Sequence, residues 1–315
     1  MRAAADPPTV LNHLGADAAK RIVAAVPDAQ VVDVPGDGSV PDGAEGEVLL
    51  TLPWGTPNLA DVMARGVRWV HSLSTGVDRF PIDLLPAGVT LTCSRGASAV
   101  PIAEFVLAAM LAFEKRVPDV WVREPPERWA MADLGGLEGR TLGLIGAGGI
   151  ATEVAQRALA FGMRVCFVRR TDAPPPLPAM QRLSLQEVLA AADHLVVAAP
   201  STPATQHILG ADALAGIKPG VHVVNVSRGS MIDQAALIEA LDDGRVARAT
   251  LDVADPEPLP GGHPLYAHPR VRLSPHVSWS APGALGRLLD RFVDNLRAYV
   301  AGEPLAGVVD RAAGY

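Results

Sequence analysis

The chain has 315 residues, of which 49% are hydrophobic and 19% are charged, and its formal net charge is −7 at pH 7. This length fits one large or two medium-sized domains, and the composition is that of a globular protein with ample core-forming material. The negative charge argues against a general nucleic-acid binder, because phosphate binding needs a basic face.

Targeting and redox signals are weak in this sequence. The start, MRAAADPPTVLNHLG, lacks an apolar signal core, and no uninterrupted apolar run is long enough to cross a bilayer. We therefore expect a cytoplasmic protein that does not contact membranes. The two cysteines, Cys93 and Cys166, lie far apart in apolar runs. They are predicted to be buried free thiols in a reducing compartment. The sequence has no cluster of cysteines that would indicate a metal site.

Short apolar runs alternate with a helical pattern in the first hundred residues. The predicted strands are PTVLNHL, AQVVDV, EVLLTL, VRWVHSL and GVTLTC, and the helical pattern is ADAAKRIVAAV. This alternation is typical of a parallel sheet with crossover helices. A longer apolar-periodic helix is predicted from about Ala99 to Val117, ending near Pro118 because helices tend to stop before proline.

The next segment, GRTLGLIGAGGIATEVAQRALAFGMRVCFVRR, has the order strand, tight glycine turn, helix, strand. Gly146 permits the sharp turn, Gly148 lets the backbone approach a pyrophosphate, and Ala151 is small enough for close helix–strand packing. The helix N-terminus offers free N–H groups and a positive dipole end to phosphates. The segment therefore predicts a dinucleotide-binding βαβ unit rather than a turn without a ligand.

Arginines end the second strand of this unit. Arg169 and Arg170 stand where an NAD enzyme usually carries Asp or Glu to bind the ribose 2′-hydroxyl, and arginine suits a 2′-phosphate instead. We predict NADP as the preferred cofactor, with NAD as the second option. The alternative interpretation is that these arginines are solvated surface charges.

Further apolar strands, HLVVAA, VHVVNV and RATLDV, each end in a polar loop, and a last helix is predicted from about Gly283 to Val300. We predict an α/β fold with two lobes, both with parallel sheets. Residues 101–281 form a Rossmann-type nucleotide-binding domain, and residues 1–100 with 282–315 form a flavodoxin-like substrate domain. Ligands bind beyond the carboxyl ends of such strands, so the predicted cofactor site is Gly146, Gly148, Gly149, Ile150, Arg169, Arg170, Pro200, Thr205, Val226, Arg228, Asp252 and His276.

An arginine, a carboxylate and a histidine follow in order in NVSRGSMID, DVADPEPLP and SPHVSW. Arg228 offers a planar fork of donors for the carboxylate and carbonyl oxygen of a 2-keto acid. His276 can donate a proton to the nascent alkoxide, and Glu257 can orient the imidazole and favour its charged form. Each residue alone fits a turn cap, a solvated loop or a structural histidine, but their order downstream of a nucleotide turn predicts a catalytic set.

These motifs, together with STGVD, AEFVLAAMLA, AAPSTPATQHILG and HPLY, resemble the D-isomer-specific 2-hydroxyacid dehydrogenase family over nearly the whole chain. Within the family the resemblance is greatest to the glyoxylate/hydroxypyruvate reductases. It implies reduction of a small 2-keto acid to the D-2-hydroxy acid by NAD(P)H, and a homodimer packed through nucleotide domains. The sequence departs from the family at Ala151, where a glycine is usual, and at Gly149, where an arginine is common and could contact a phosphate.

The resemblance also implies that the substrate carboxylate is bound by backbone N–H groups of Thr75, Gly76 and Val77. Trp54 is a candidate for the pocket wall, and so is Trp279, although packing explains either tryptophan equally well. His263 in the HPLY run is expected to support the site. The other histidines are expected to be structural: His13, His71, His194, His207, His222 and His268.

Two further functions remain open on this fold. One is a nucleotide-sensing binding protein like the corepressors that resemble this family, some of which keep the arginine, glutamate and histidine. The other is oxidation of formate or phosphite, but the formate enzymes lack the glutamate, so Glu257 counts against that chemistry. The lack of basic tails and interaction motifs favours an enzyme.

Overall fold

The computed structural model describes residues 7–315; residues 1–6, with which the predicted substrate domain begins, lie outside the described residues. The chain divides into two compact units, one made of the residues up to Ser98 together with Pro282–Tyr315, the other of Ala99–Ala281. The elements of the first unit, up to its end at Ser98, are β1 (Thr9–Asn12), α1 (Ala16–Ala25), β2 (Gln30–Asp33), β3 (Val48–Thr51), α2 (Leu59–Met63), β4 (Trp69–Ser72) and β5 (Thr90–Cys93).

The second unit holds the longer run of elements. They are α3 (Ala99–Glu114), β6 (Thr141–Ile145), α4 (Gly149–Ala160), β7 (Arg164–Val168), β8 (Met180–Arg182), α5 (Leu185–Ala191), β9 (His194–Val197), α6 (Ala211–Ala215), β10 (Val221–Asn225), α7 (Gln234–Asp242), β11 (Val246–Leu251), α8 (Pro264–Ala267) and β12 (Val271–Leu273). The first unit then ends with α9 (Ala284–Ala301).

The sheet of the first unit has the strand order β2-β1-β3-β4-β5, and every pair is parallel. This is the order of flavodoxin-like sheets. Side chains alternate between its two faces, as the pleat requires: Val48 and Leu50 pack in a core with Phe292 of α9, whereas Leu49 packs in the core on the other side. With both faces covered, β3 and β4 are continuously apolar or buried, as expected for a parallel sheet.

The sheet of the second unit has the order β12-β11-β10-β9-β6-β7-β8, again parallel throughout. From β6 the chain adds β7 and β8 on one side and then β9, β10, β11 and β12 on the other. The reversal between β6 and β9 is the switch point at which Rossmann-type sheets bind nucleotides. The predicted α/β class, with two parallel sheets and a Rossmann arrangement, is confirmed.

The prediction for α3 is wrong at its C-terminal end. The helix ends at Glu114 rather than at Val117. Arg116 has a φ of 53°, in the left-handed region, and Val117 precedes a proline. A proline disfavours the helical conformation in the residue before it, so the helix stops earlier than its apolar periodicity indicates.

Both cysteines are buried and free, and burial raises the pKa of each thiol.

A one-way chain of hydrogen bonds surrounds buried His71 in the first unit. Ser94 Oγ donates to the carbonyl of Leu288 at 2.8 Å, so it accepts from His71 Nε2 at 3.0 Å. His71 Nδ1 is then the acceptor for Thr92 Oγ1 at 2.7 Å, and Thr92 accepts from Trp69 Nε1 at 2.8 Å. The neutral imidazole satisfies every group, and burial lowers the pKa of His71 to about 3.

A pair of buried histidines lies in the second unit, at the amino ends of β9 and β10. His194 contacts Glu114 Oε1 through Nε2 at 3.0 Å and His222 through Nδ1 at 3.2 Å. His222 Nε2 meets Thr250 Oγ1 at 2.9 Å. Burial, followed by the charges of His194 and Arg248, lowers the pKa of His222 well below its ordinary value. These histidines lie at the edge of the sheet opposite to the strand ends that carry the predicted site, which fits a structural role.

Acidification should destabilise the protein through His71. Between pH 6.5 and about pH 3, the imidazole of His71 is protonated in the unfolded chain but stays neutral in the folded protein. The free energy of unfolding should therefore fall by up to about 1.4 kcal/mol per pH unit in that window. Urea denaturation at pH 7, 6 and 5 measures this, and His71→Gln, which cannot titrate, should reduce the slope. Equal stability at pH 7 and pH 5 would contradict a neutral buried His71.

Candidate active site

The glycine turn after β6 depends on the absence of side chains. Gly146 has a φ of 106°, and its N–H donates to Val168 O at 2.9 Å. A Cβ at Gly146 would lie 2.8 Å from Ala198 O and from Ala199 N. Any other residue would therefore be strained and would push the strand ends of β6 and β9 apart.

The next part of the turn is open. Gly148 is the N-cap of α4 and makes no side-chain cap, and a Cβ there would meet nothing within 4 Å. Gly149 and Ile150 begin the helix, whose first N–H groups have no acceptor within the helix. Ala151 is fully buried. Bare backbone, free donors and a helix dipole fit the pyrophosphate of a dinucleotide.

The two arginines after β7 have different surroundings. Arg169 donates to the carbonyls of Thr171 and Pro174 at 3.2 and 2.8 Å, and also to that of Ala173. Its guanidinium therefore organises its own loop. Arg170 is exposed. Asp172, the nearest acid in the chain, is ion-paired with Arg182 of β8.

The loop after β9 is held by a threonine. Thr205 Oγ1 donates to Pro200 O at 2.8 Å and accepts from Thr202 N at 2.8 Å. Val226, after β10, is buried in the core under α3 and α4. Three of the predicted cofactor residues therefore also stabilise the fold. Thr205 and Pro200 hold the turn through their hydrogen bond, and Val226 packs in the core.

The turn that carries Arg228 is fixed from within. Asn225 Nδ2 donates to Arg228 O at 2.8 Å, and Asn225 Oδ1 accepts from Ser227 N at 3.0 Å. Ser227 Oγ donates to Ala199 O in the neighbouring loop. Arg228 Nη1 donates to Ser227 O at 2.8 Å, and the residue is partly exposed. The guanidinium therefore begins from a rigid backbone at the carboxyl edge of the sheet.

Glu257 and His276 form a pair at the same edge. His276 Nδ1 meets Glu257 Oε2 at 3.0 Å, with side-chain exposures of 35% and 17%. The other carboxylate oxygen accepts from Ala254 N at 3.2 Å. Because a carboxylate only accepts, Nδ1 carries the hydrogen and Nε2 is left for a ligand.

Asp252 anchors the loop on which His276 stands. Its buried carboxylate accepts from Ser274 Oγ at 2.6 Å and from the N–H groups of Val277 and Ser278 at 2.9 Å each. Its carbonyl accepts from His276 N at 2.8 Å. His276 itself has a φ of 55°, a conformation that a residue with a Cβ keeps only when its surroundings hold it there.

The predicted substrate loop lies in the first unit, after β4. Ser74 Oγ donates to Gly76 O at 2.6 Å, and Ser94 N donates to Ser74 O at 2.7 Å. Val77 is buried in the core of that unit, and Thr75 and Gly76 are partly exposed. Trp54 follows β3 and is 64% exposed, so packing does not account for it.

Other aromatic residues in the second unit have structural contacts. Trp279 Nε1 donates to His276 O at 3.0 Å, and its ring packs against the α3–α4 core. His263 caps α8 by accepting from Leu265 N. His268 pairs with Asp242 at 3.2 Å.

Two histidines complete the set of those predicted to be structural. His207 has a φ of 48° and donates its N–H to Ser230 O at 2.9 Å. In the first unit, His13 Nδ1 meets Thr51 Oγ1 at 2.8 Å, and burial lowers its pKa to about 4.

Sequence reasoning missed the residues that support this site. Asn225, Ser227 and Ser274 place Arg228 and His276 through the hydrogen bonds above, and none was predicted to have a role. One signal was available in the sequence, since each is a short polar residue at the end of an apolar strand, where such side chains bond to nearby backbone. The partner of each bond depends on a neighbouring strand, which local sequence does not specify.

Two absences hold for residues 7–315. No helix in this range is both long and apolar enough to cross a bilayer. Nor does this range contain a group of three or more His, Cys, Asp or Glu side chains that could hold a metal ion.

Comparison with known proteins gives consistent matches. The sequence model described as "D-isomer specific 2-hydroxyacid dehydrogenase, NAD binding domain" matches residues 107–278. Glyoxylate/hydroxypyruvate reductase A of Serratia proteamaculans is 33% identical over 304 residues, 92% of this chain and 93% of that protein. D-3-phosphoglycerate dehydrogenase of Mycobacterium tuberculosis H37Rv is 33% identical over 301 residues, 93% of this chain and 53% of that protein.

A solved structure agrees. The D-isomer specific 2-hydroxyacid dehydrogenase of Xanthobacter autotrophicus Py2, in complex with NADPH and MES, is 31% identical, with a TM-score of 0.85 over 99% of this chain and 100% of that one. With a matching family model over more than half of its length, this chain belongs to the D-isomer specific 2-hydroxyacid dehydrogenase family and is an oxidoreductase with a Rossmann-type NAD-binding domain.

Proposed function

We propose that this protein reduces a small 2-keto acid, of the glyoxylate or hydroxypyruvate type, to the D-2-hydroxy acid, with His276 as the proton donor. The observation that carries the proposal is the Glu257–His276 pair at 3.0 Å. It lies at the same sheet edge as the Arg228 turn and the open glycine turn at Gly148. The names of the relatives support the substrate class, but a reductase and a phosphoglycerate dehydrogenase are equally identical, at 33%.

The chemistry divides between cofactor and protein. The turn from Gly146 to Ile150 would hold a nicotinamide dinucleotide, which when bound would supply the hydride for the carbonyl carbon of the keto acid. His276 Nε2 delivers a proton to the carbonyl oxygen, so one keto acid, one reduced dinucleotide and one proton give one hydroxy acid and one oxidised dinucleotide. Arg228 binds the substrate anion and polarises its carbonyl, because a guanidinium can donate to both oxygens. Glu257 holds the imidazole by Nδ1, which leaves Nε2 for the substrate.

We also propose that the N–H groups of Thr75, Gly76 and Val77 bind the substrate carboxylate, as the resemblance to the family implies. Trp54 is proposed to form part of the pocket wall. The first unit is thus proposed to bind substrate and the second to bind the dinucleotide. A nucleotide-sensing binding protein is not favoured, because the relatives are named reductases and dehydrogenases. Formate oxidation is not favoured either, since Glu257 is present and in contact with His276.

Replacing His276 by Ala should remove the proton donor and leave the fold and the other predicted cofactor residues intact. We expect kcat with glyoxylate and hydroxypyruvate to fall roughly 100- to 10,000-fold, while the Kd for reduced dinucleotide stays within about twofold. A panel of 2-keto acids assayed by the loss of NADPH or NADH absorbance measures this. His268→Ala, a histidine of the same unit paired with Asp242, is the control and should keep wild-type rates. Unchanged turnover in the His276 variant would rule out its role as proton donor.

We propose further that NADPH is preferred over NADH, through Arg169 and Arg170. Arg169 also donates to the carbonyls of Thr171 and Pro174, and the side chain of Arg170 is exposed, so both are candidates for the 2′-phosphate. Asp172 lies close in the chain, but its pairing with Arg182 reduces its repulsion of a phosphate. The NADPH in the Xanthobacter structure belongs to that protein and supports the preference here only by similarity.

Loss of these arginines should change the cofactor preference. A charge-assisted hydrogen bond contributes about 1.5–3 kcal/mol, so Arg170→Ala should lower kcat/KM with NADPH by roughly 10- to 100-fold and with NADH by much less. Arg169→Asp combined with Arg170→Ala should reverse the preference. Arg164→Ala, an exposed arginine at the opposite end of β7, should leave the ratio unchanged. A wild-type kcat/KM that is higher with NADH would show that these arginines are surface charges.

We also propose a homodimer formed through the nucleotide-binding units. The segment after α3 exposes large apolar side chains, Trp121, Val122, Trp129 and Met131, at 57–76%. A monomer would leave these groups in water, and contiguous exposed apolar surface marks an interaction site.

Sedimentation velocity at micromolar concentration should therefore report a dimer. Trp121→Ser with Trp129→Ser should shift the protein to the monomer, because the apolar contact area is lost. Trp54→Ser, which removes an exposed tryptophan of the first unit, should leave the dimer intact. A stable wild-type monomer would refute the proposal.

A further inference from the structure

The side chain of Gln234 forms a two-point contact with the loop that carries Glu257. Gln234 is the first residue of α7, directly after its N-cap Asp233. Its Nε2 donates to Asp255 O at 2.5 Å, and its Oε1 accepts from Asp255 N at 3.4 Å. The carboxamide therefore meets the N–H and the C=O of one residue, two positions before Glu257.

The turn of Arg228 reaches the same peptide. A Cβ at Gly229 would lie 1.9 Å from the carbonyl carbon of Ala254 and 2.4 Å from Asp255 N. The backbone of Gly229 is thus in direct contact with the Ala254–Asp255 peptide. That peptide is held by two segments, the Arg228–Gly229 turn and the first residue of α7.

The backbone directly before this peptide binds the Glu257 carboxylate, so a shift of the peptide would also move that contact. Ala254 N donates to Glu257 Oε1 at 3.2 Å, and Glu257 Oε2 meets His276 Nδ1 at 3.0 Å. The 3.2 Å contact is at the upper end of the usual range and the 3.0 Å contact is of ordinary length, so an outward shift of a few tenths of an ångström weakens both. Pro256 and Pro258 flank Glu257 and have no N–H, which leaves the loop with few donors of its own.

We propose that Gln234 is a positioning residue for the reaction: its carboxamide holds the Ala254–Asp255 backbone so that Glu257 meets His276. This inference rests on the proposed function. The residue type matters, because a side chain of this length must donate and accept at once to pair with one backbone residue. Glutamate keeps only the acceptor, and methionine keeps neither group while preserving the length.

A double-mutant cycle separates positioning from general stability. Gln234→Met, Glu257→Gln and the double variant are compared with wild type by kcat, KM for the keto acid and Kd for NADPH. We expect Gln234→Met to lower kcat about 3- to 10-fold, in line with the loss of one or two neutral hydrogen bonds, with Kd unchanged. Gln234→Glu, which places a second acceptor where Nε2 faces Asp255 O, should lower kcat at least as much as Gln234→Met.

The cycle should be non-additive, because Gln234 acts through Glu257. In the Glu257→Gln background, adding Gln234→Met should change kcat by less than about twofold. The control is Gln186→Met, an exposed glutamine in the first turn of α5, which should behave as wild type. Thermal denaturation of each variant checks that the fold is retained.

Three results would overturn the inference. One is a Gln234→Met enzyme with wild-type kcat. Another is a full, additive loss in the double variant, which would mean that Gln234 acts independently of Glu257. The third is a wild-type rate in Glu257→Gln alone. This last result identifies the proposed role of Glu257 as the error, whereas the first two leave that role standing.

Discussion

The candidate site depends on the buried carboxylate of Asp252. A buried charge costs several kcal/mol unless donors surround it, and here one hydroxyl and two backbone N–H groups do so. Because the donors come from Ser274, Val277 and Ser278, the carboxylate holds the loop after β12 against the end of β11. That contact offsets the cost of the left-handed φ of His276, about 1–2 kcal/mol for a residue with a Cβ. His276, the proposed proton donor, is therefore placed by an interaction in which its side chain takes no part.

Close approach of backbone is the second constraint, and glycine satisfies it twice. At Gly146 the end of β6 touches the end of β9, and at Gly229 the Arg228 turn touches the Ala254–Asp255 peptide. These contacts draw the strand ends of the parallel sheet together, so groups that are distant in sequence share one edge. Rigid, contiguous packing of backbone is what allows a pair such as Glu257 and His276 to keep a fixed geometry.

Environment, rather than residue type, separates the histidines. His71 is buried among hydroxyls, and burial lowers its pKa to about 3, so it serves the fold as a neutral hydrogen-bonding group. His276 is 35% exposed and meets the carboxylate of Glu257 through Nδ1, so its Nε2 is left for a ligand. Exposure also differs between the two neighbouring arginines: Arg169 is partly buried and bonds to the carbonyl of Thr171, and Arg170 is exposed.

The sequence by itself determined the α/β class, the two parallel sheets, the glycine turn and the order of Arg228, Glu257 and His276, because apolar periodicity and turn residues are local signals. It did not determine the end of α3 at Glu114, the loop contacts of Arg169, or the contacts of Asp252 and Gln234. Those depend on which strands and loops become neighbours. A hydrogen bond between residues 21 to 26 positions apart, such as Gln234 with Asp255 or Asp252 with Ser278, is set only when the tertiary structure brings their backbones together.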